Sequence, residues 1–282
     1  MNRMTCQGYL AAFEHHCLTE KKATYHTLRS YLSDLRQFFE LWEASEQKAK
    51  HSFTLMQMTA LFTQELKSKE KNSTQARKIS CLNTFFLFLF HSNALKEPIS
   101  LKRPPVQLPK AEVVSRNAII QLLQNTPKHA LNSLKPFRDR SILGILYATG
   151  IKSMELSAIT LQDVDLQNRS IAIRPSRKKQ RTVFFGPQTA YDLEKYLSVE
   201  RPKVQNSSEY LFLSIHKTPL TTRSIQRICL SFGHLLTPQV ELTPKILRHS
   251  FALHLLERGT SLERVQELLG HATPASTERY IK

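Results

Sequence analysis

Tyr280 stands nine residues after His271, and His271 follows a glycine that closes an amphipathic stretch, in LLGHATPASTERYIK. Upstream, Lys245 and Arg248 lie three residues apart in PKILRHSFALHLLERG, so in a helix they share a face. The stretch SRKKQR gathers four cations, Arg177, Lys178, Lys179 and Arg181, within six residues, and TGIKSMEL sets Lys152 three residues before Glu155. Taken singly, each has an ordinary role in packing, capping or a solvated loop. As a set they are a hydroxyl nucleophile, an imidazole and fixed cations. Attack of a hydroxyl on a phosphodiester builds negative charge on the nonbridging oxygens, and preorganised cations and hydrogen-bond donors stabilise that charge.

Such groups act only if rigid elements hold them. Thr243 can cap a helix whose first position is Pro244 and which runs through Leu247, Phe251 and Leu255 to Gly259. Thr260 with Glu263 offers a capping box for SLERVQELL, closed by Gly270, which would place His271 on backbone fixed by that C-cap. Before them the pattern predicts helices near 115–126, 137–149 (ending at Gly150), 153–159, 187–200 and 221–236. Alternation of Ile171 and Ile173 with polar neighbours, a break at Pro175 and a resumption at 182–185 predict a β-hairpin tipped by SRKKQR, and YLFLS reads as a short strand.

The first part of the chain reads as all helical. Leu28, Tyr31, Leu32, Leu35, Phe38 and Phe39 mark one face of a helix near 23–43, followed by helices near 54–67 and 73–92. EPISLKRPPVQLPK, with four prolines, excludes helix interior and central strand. The organisation expected is therefore a helical N-terminal domain over 1–96, a basic Pro-rich linker over 97–110 that carries Lys102 and Arg103, and a mainly helical domain with a small β-hairpin over 111–282.

Lys and Arg number 40 against 23 Asp and Glu, a formal charge of +17. Residues 1–110 contribute +7 and the remainder +10, so both halves are basic and a two-jawed clamp on nucleic acid is the expected use. Cys6, Cys17, Cys81 and Cys229 lack CxxC spacing, which argues against a zinc site or a disulfide framework; no metal or cofactor is expected. The N-terminal segment has no signal-peptide apolar core, and the longest apolar run, FFLFLF, is too short to span a bilayer, so a cytoplasmic protein without membrane association is expected.

KILRHSFALHLLERG, VQELLGH and the following tyrosine together resemble the C-terminal signature of the tyrosine recombinases, the phage-integrase and Xer-like family. FRDRSILGILYATGIKSMELSAITLQDVD is similar to that family's first catalytic box, and TYHTLRSYLSDLRQFF to its N-terminal core-binding domain of SAM-like helices. The resemblance implies a site-specific recombinase or integrase that cuts and rejoins double-stranded DNA through a 3′-phosphotyrosine. It would serve integration, excision or resolution as a dimer of dimers, with accessory proteins or a partner recombinase possible. It assigns Tyr280 as nucleophile, Arg248 and His271 as phosphate ligands, Lys245 at a position usually histidine, and Glu155 as a buttress of the first box. The general acid falls to the hairpin tip: rigid counting points at Ser176, so Lys178 is expected to take the role with Lys179 behind it. Arg177 and Arg181, with Lys102 and Arg103, are expected to contact DNA.

Lys152 occupies the place of the family's first catalytic arginine. Lysine keeps the charge and loses the planar fork. Two rival readings follow: a member that binds DNA but is weakened or inactive in cutting it, and a type IB topoisomerase-like relaxing enzyme. Because only two residues follow Tyr280, association in the absence of DNA is expected to be weak.

Overall fold

A computed structural model describes residues 1–106, 112–125, 133–174, 180–201, 208–271, 273–278 and 280. The chain divides into two compact units, Met1–Pro109 and Lys110–Lys282. Among the described residues no helix is long and apolar enough to cross a membrane.

The described part of the first unit is built from α1 (Arg3–Gly8), α2 (Leu10–Thr19), α3 (Tyr25–Ala49), α4 (Leu55–Lys69) and α5 (Asn72–His91). The apolar pattern did not mark α1 and α2. Thr24 caps α3 by accepting from the Thr27 N–H, and the helix outruns its predicted end to finish at Lys50 in a left-handed conformation. Its buried Leu28, Leu35, Phe38, Phe39 and Trp42 follow the helical period, and they meet the wholly buried Phe85, Phe86 and Leu89 of the FFLFLF run. Edge-to-face pairs such as Phe13 with Phe85 at 5.2 Å and Phe38 with Phe62 at 5.3 Å each add about 0.5–1.5 kcal/mol beyond area burial. Residues 97–106 form neither helix nor strand. Their backbone is tied to α5 where Asn83 bonds both the N–H and the carbonyl of Leu101, which leaves Lys102 and Arg103 exposed.

In the second unit come α6 (Arg116–Asn125), α7 (Pro136–Thr149), α8 (Ser153–Ser157), β1 (Val164–Asp165), β2 (Ser170–Ile173), β3 (Arg181–Phe184), α9 (Pro187–Lys195), α10 (Thr222–Gly233), α11 (Pro244–Glu257), α12 (Leu262–Leu269) and α13 (Ala275–Glu278). The three strands form an antiparallel sheet in the order β1-β2-β3, with Ile171 opposite Val183 and Ile173 opposite Arg181. α7 is the central helix, packed between α9 and α11, with Ile142, Leu143, Ile145 and Leu146 fully buried. At its N-terminus the carboxylate of Glu200 accepts the N–H groups of Phe137 and Arg138 at 2.9 and 3.0 Å. Close by, Arg138 pairs with Asp139 at 2.8 Å and Arg140 with Asp192 at 3.2 Å, and all four are buried.

Two expectations are corrected here. YLFLS does not form a strand: its backbone makes single bridges to two different neighbours, Tyr210 to Thr160 and Leu213 to Pro219. Leu211, Phe212 and Leu213 are nevertheless buried, so the apolar run reported burial rather than a ladder. The cap of α12 is Ser261, which accepts from the Arg264 N–H, one residue later than the predicted Thr260 and Glu263. The predicted helix over 187–200 is α9 followed by one π-helical turn at Tyr196–Glu200.

Candidate active site

The site assembles at the C-terminal end of α7. Gly150 ends that helix at φ 60°, and a Cβ there would meet Phe251 Cδ1 at 2.4 Å and Leu269 Cδ2 at 2.8 Å. Glycine is thus required both for the left-handed turn and for the close approach of α11 and α12. Two residues on, the Lys152 backbone N–H donates to Glu155 Oε2 at 2.8 Å across the start of α8, and the Lys152 side chain is exposed.

Glu155 is held from the sheet. Arg181 Nη1 and Nη2 donate to its two carboxylate oxygens at 3.0 and 2.9 Å, a bidentate pair. The same guanidinium donates from Nε to the Leu268 carbonyl at 3.0 Å, which links β3 to the end of α12. Burial pushes the Glu155 carboxyl up. The Arg181 bonds, the Lys152 N–H and the charges of Arg181 and Arg248 outweigh it, so Glu155 lies below the usual carboxylate range and stays ionised. Arg181, expected to contact DNA, is therefore an internal brace, and its side chain is only 12% exposed. Period-two alternation carried the signal: Arg181 shares the inward face of β3 with Val183.

α11 supplies Arg248. Thr243 caps this helix by accepting from the Ile246 N–H, Pro244 opens it, and Arg248 falls on its buried side while Lys245 is exposed. Arg248 is 7% exposed. It donates from Nη1 to the Gly150 carbonyl at 2.5 Å, and from Nη2 to the Leu269 carbonyl and to His271 Nε2, both at 2.8 Å. Tyr280 hydrogen-bonds it as well. Burial lowers its pKa against the opposing pull of Tyr280 and Glu155, yet a guanidinium remains charged in any accessible range.

α12 ends at Gly270 with φ 63°, and the next residue is His271, whose N–H returns to the Gln266 carbonyl at 3.1 Å. The imidazole Nδ1 meets Thr277 Oγ1 at 2.8 Å. Tyr280 is 8% exposed and packs on Ala252, Val265 and Leu269. Its ring lies between two imidazoles, edge-on to His249 at 5.1 Å and stacked with His271 at 6.0 Å. Thus Arg248, His271, Tyr280, Glu155 and the backbone of Lys152 come together. Lys245 is exposed on an open cleft of about 600 Å³ that it lines together with Ser153, Arg223 and Gln226. Arg177, Lys178 and Lys179 fall outside the described residues. Thr277, His249 and the Gly150 carbonyl were not singled out in the sequence.

Residues 112–282 match the Phage integrase family, and residues 10–93 match the phage integrase N-terminal SAM-like domain. Tyrosine recombinase XerC of Thermodesulfovibrio yellowstonii is 30% identical, the match covering 97% of this chain and 91% of that protein. Tyrosine recombinase XerD of Staphylococcus haemolyticus is 33% identical over 93% of this chain and 89% of its own. Among solved structures, XerH bound to its difH substrate is 21% identical and superposes with a TM-score of 0.74, covering 96% of this chain and 81% of that one. A lambda integrase dimer bound to a core site is 15% identical, with a TM-score of 0.69 over 98% and 95% of the two chains. These two structures establish likeness of fold. From the family matches over both units and the relatives of 30% identity or more that span nearly the whole chain, the protein belongs to the phage integrase family of tyrosine recombinases.

Proposed function

We propose that this chain is a site-specific DNA recombinase in which Tyr280 is the nucleophile. Tyr280 Oη attacks the scissile phosphorus, its proton passing to solvent, and the bond to the 5′ oxygen breaks, leaving the DNA as a 3′-phosphotyrosine. A hairpin-tip lysine, Lys178 with Lys179 behind it, supplies the proton that the leaving 5′ oxygen takes up. Because the covalent intermediate conserves the ester, an incoming 5′ hydroxyl reverses the step without ATP. Arg248 exchanges its carbonyl acceptors for the nonbridging oxygens, His271 donates to the same phosphate, and Lys152 and Lys245 add positive charge at its rim. Glu155 and Arg181 keep the Lys152 segment in place.

The observation that carries this reading is that Tyr280 hydrogen-bonds Arg248 and stacks with His271, which itself meets Arg248. The substrate is double-stranded DNA, reached through phosphate contacts by both basic halves, Lys102 and Arg103 among them. XerH and lambda integrase were each solved on DNA, the latter as a dimer. By analogy this chain works in the cytoplasm as a dimer of dimers on two sites, alone or with a partner recombinase, in integration, excision or resolution.

The test is a covalent trap on a nicked suicide duplex whose sequence is selected for binding from a random pool. The wild-type chain is expected to form a protein–DNA adduct and Tyr280→Phe none, with affinity nearly unchanged because only a hydroxyl is lost. An adduct with the Phe variant overturns the assignment of the nucleophile. Tight binding without any wild-type adduct marks a chain that holds DNA and does not cut it.

A further inference from the structure

His271 holds its protons the wrong way round for its role. Arginine has no acceptor, so the 2.8 Å contact with Arg248 Nη2 makes His271 Nε2 the acceptor. The ring proton is then on Nδ1, donated to Thr277 Oγ1 at 2.8 Å. A phosphate oxygen only accepts. For His271 to bind it, Nε2 must become a donor.

Two routes exist. The ring can gain a second proton, or it can exchange tautomers. A second proton would place a cation 2.8 Å from the buried Arg248 guanidinium. Besides Arg248, the described groups placed against the ring are two hydroxyl side chains, Thr277 and Tyr280, and Glu155 is already bonded to Arg181. Like charges at that separation disfavour protonation. Exchange of tautomers needs only a partner on Nδ1 that can serve as acceptor first and donor afterwards. A hydroxyl does both by rotating.

Thr277 meets that requirement and is fully buried, so water does not readily replace it. It also fixes the nucleophile, because its carbonyl accepts the Tyr280 N–H at 3.0 Å. We propose that Thr277 is a positioning residue that reverses His271 as the phosphate docks: the ring releases its Nδ1 proton to solvent and takes one from solvent at Nε2, so that the water gains one proton and loses one, and the Thr277 hydroxyl turns to donate to Nδ1. Net charge is unchanged. The proposal rests on the reading that His271 serves the scissile phosphate.

The test is nitrogen-15 spectroscopy of the histidine rings in the full chain carrying Tyr280→Phe, so that no cleavage intervenes, free and bound to the selected duplex. The free protein is expected to show neutral His271 protonated at Nδ1, and the complex neutral His271 protonated at Nε2. An imidazolium in the complex, or an Nδ1 proton that persists there, overturns the proposal. In the otherwise wild-type chain, Thr277→Val should slow adduct formation by about 10- to 100-fold, by analogy with the loss of the hydrogen-bond partner of a metal-ligating histidine, with DNA affinity retained. Thr277→Ser should restore the rate. Equal rates for the Val and Ser variants also overturn it. The ring spectra decide the reversal even if the Tyr280→Phe trap fails to confirm the nucleophile.

Discussion

α7 has a charged cluster at each end, ~20 Å apart for fourteen residues at 1.5 Å each, and the two clusters are wired differently. At the N-terminal end every described arginine on the helix finds a carboxylate: Arg138 has Asp139, Arg140 has Asp192, and Glu200 takes the free N–H groups of the first turn. At the C-terminal end Arg248 is as deeply buried, yet its direct bonds go to two carbonyls, an imidazole and a phenol. Glu155, the carboxylate whose charge acts on Arg248, is bonded by Arg181. A closed ion pair gives structure and has nothing left for a ligand. A cation held only by neutral acceptors keeps its charge for an anion that arrives later. Burial alone therefore does not mark a functional arginine; the chemistry of its partners does.

That contrast can be broken most forcefully by exchanging effects between the ends. Asp192→Ala leaves Arg140 buried without its counter-charge and should lower unfolding free energy by about 3–5 kcal/mol, read by urea denaturation, while adduct yield per folded molecule holds. Arg248→Lys should do the reverse: cleavage falls by ~10² to 10³, about 2.7–4 kcal/mol in the barrier, with a smaller loss of stability than Asp192→Ala. If Arg248→Lys unfolds the chain more than Asp192→Ala does, the two ends are alike and the distinction fails.

Lys152 sharpens the same point at the rim. Its side chain is exposed at the start of α8. Lys152→Arg restores a planar fork and should raise adduct yield on the suicide duplex by up to ~10²-fold, the lower bound for one such donor, leaving affinity unchanged. Robust wild-type cleavage that arginine fails to improve would show that the site is adapted to lysine.

The smallest effect belongs between the ends, where Tyr147 of α7 meets His254 Nδ1 of α11 at 3.0 Å. Burial, aided by Arg116 and opposed by Glu257, pushes the His254 pKa down. A histidine lowered in the folded state binds fewer protons than in the unfolded chain, so stability is full above the ordinary histidine range and declines as pH falls through it toward the folded value. Between about pH 7 and pH 5, where histidine changes charge, the wild type should lose more thermal stability than His254→Gln. An equal loss would place the acid sensitivity elsewhere.

The candidate site was legible because its members are punctuated locally. Thr243 and Pro244 start a helix, Gly150 and Gly270 end two, and the distances from those marks place Arg248 and His271 without any knowledge of what they touch. The face of α3 was legible for the same reason, since a period needs no partner. What stayed hidden was set across the chain. Arg181 was grouped with the DNA-facing tip because the cluster of cations is obvious in sequence, whereas Glu155 lies 26 residues away. The Glu200 cap on α7 comes from 63 residues downstream of the N–H it accepts. Thr277 looked like one more small polar residue in a terminal tail, and only the ring beside it gives its hydroxyl a task.

The two carbonyls that hold Arg248 are the ends of helices. Gly150 closes α7 and Leu269 is the last residue of α12, so two macrodipoles direct their negative poles at one guanidinium. Each pole is equivalent to roughly half an elementary charge, and together they approach the charge they face. This compensation is made of backbone. No side-chain titration switches it off, and added salt screens it little because the group is buried. Much of the charge on this buried guanidinium is thus balanced by backbone, which no change in side-chain protonation can remove.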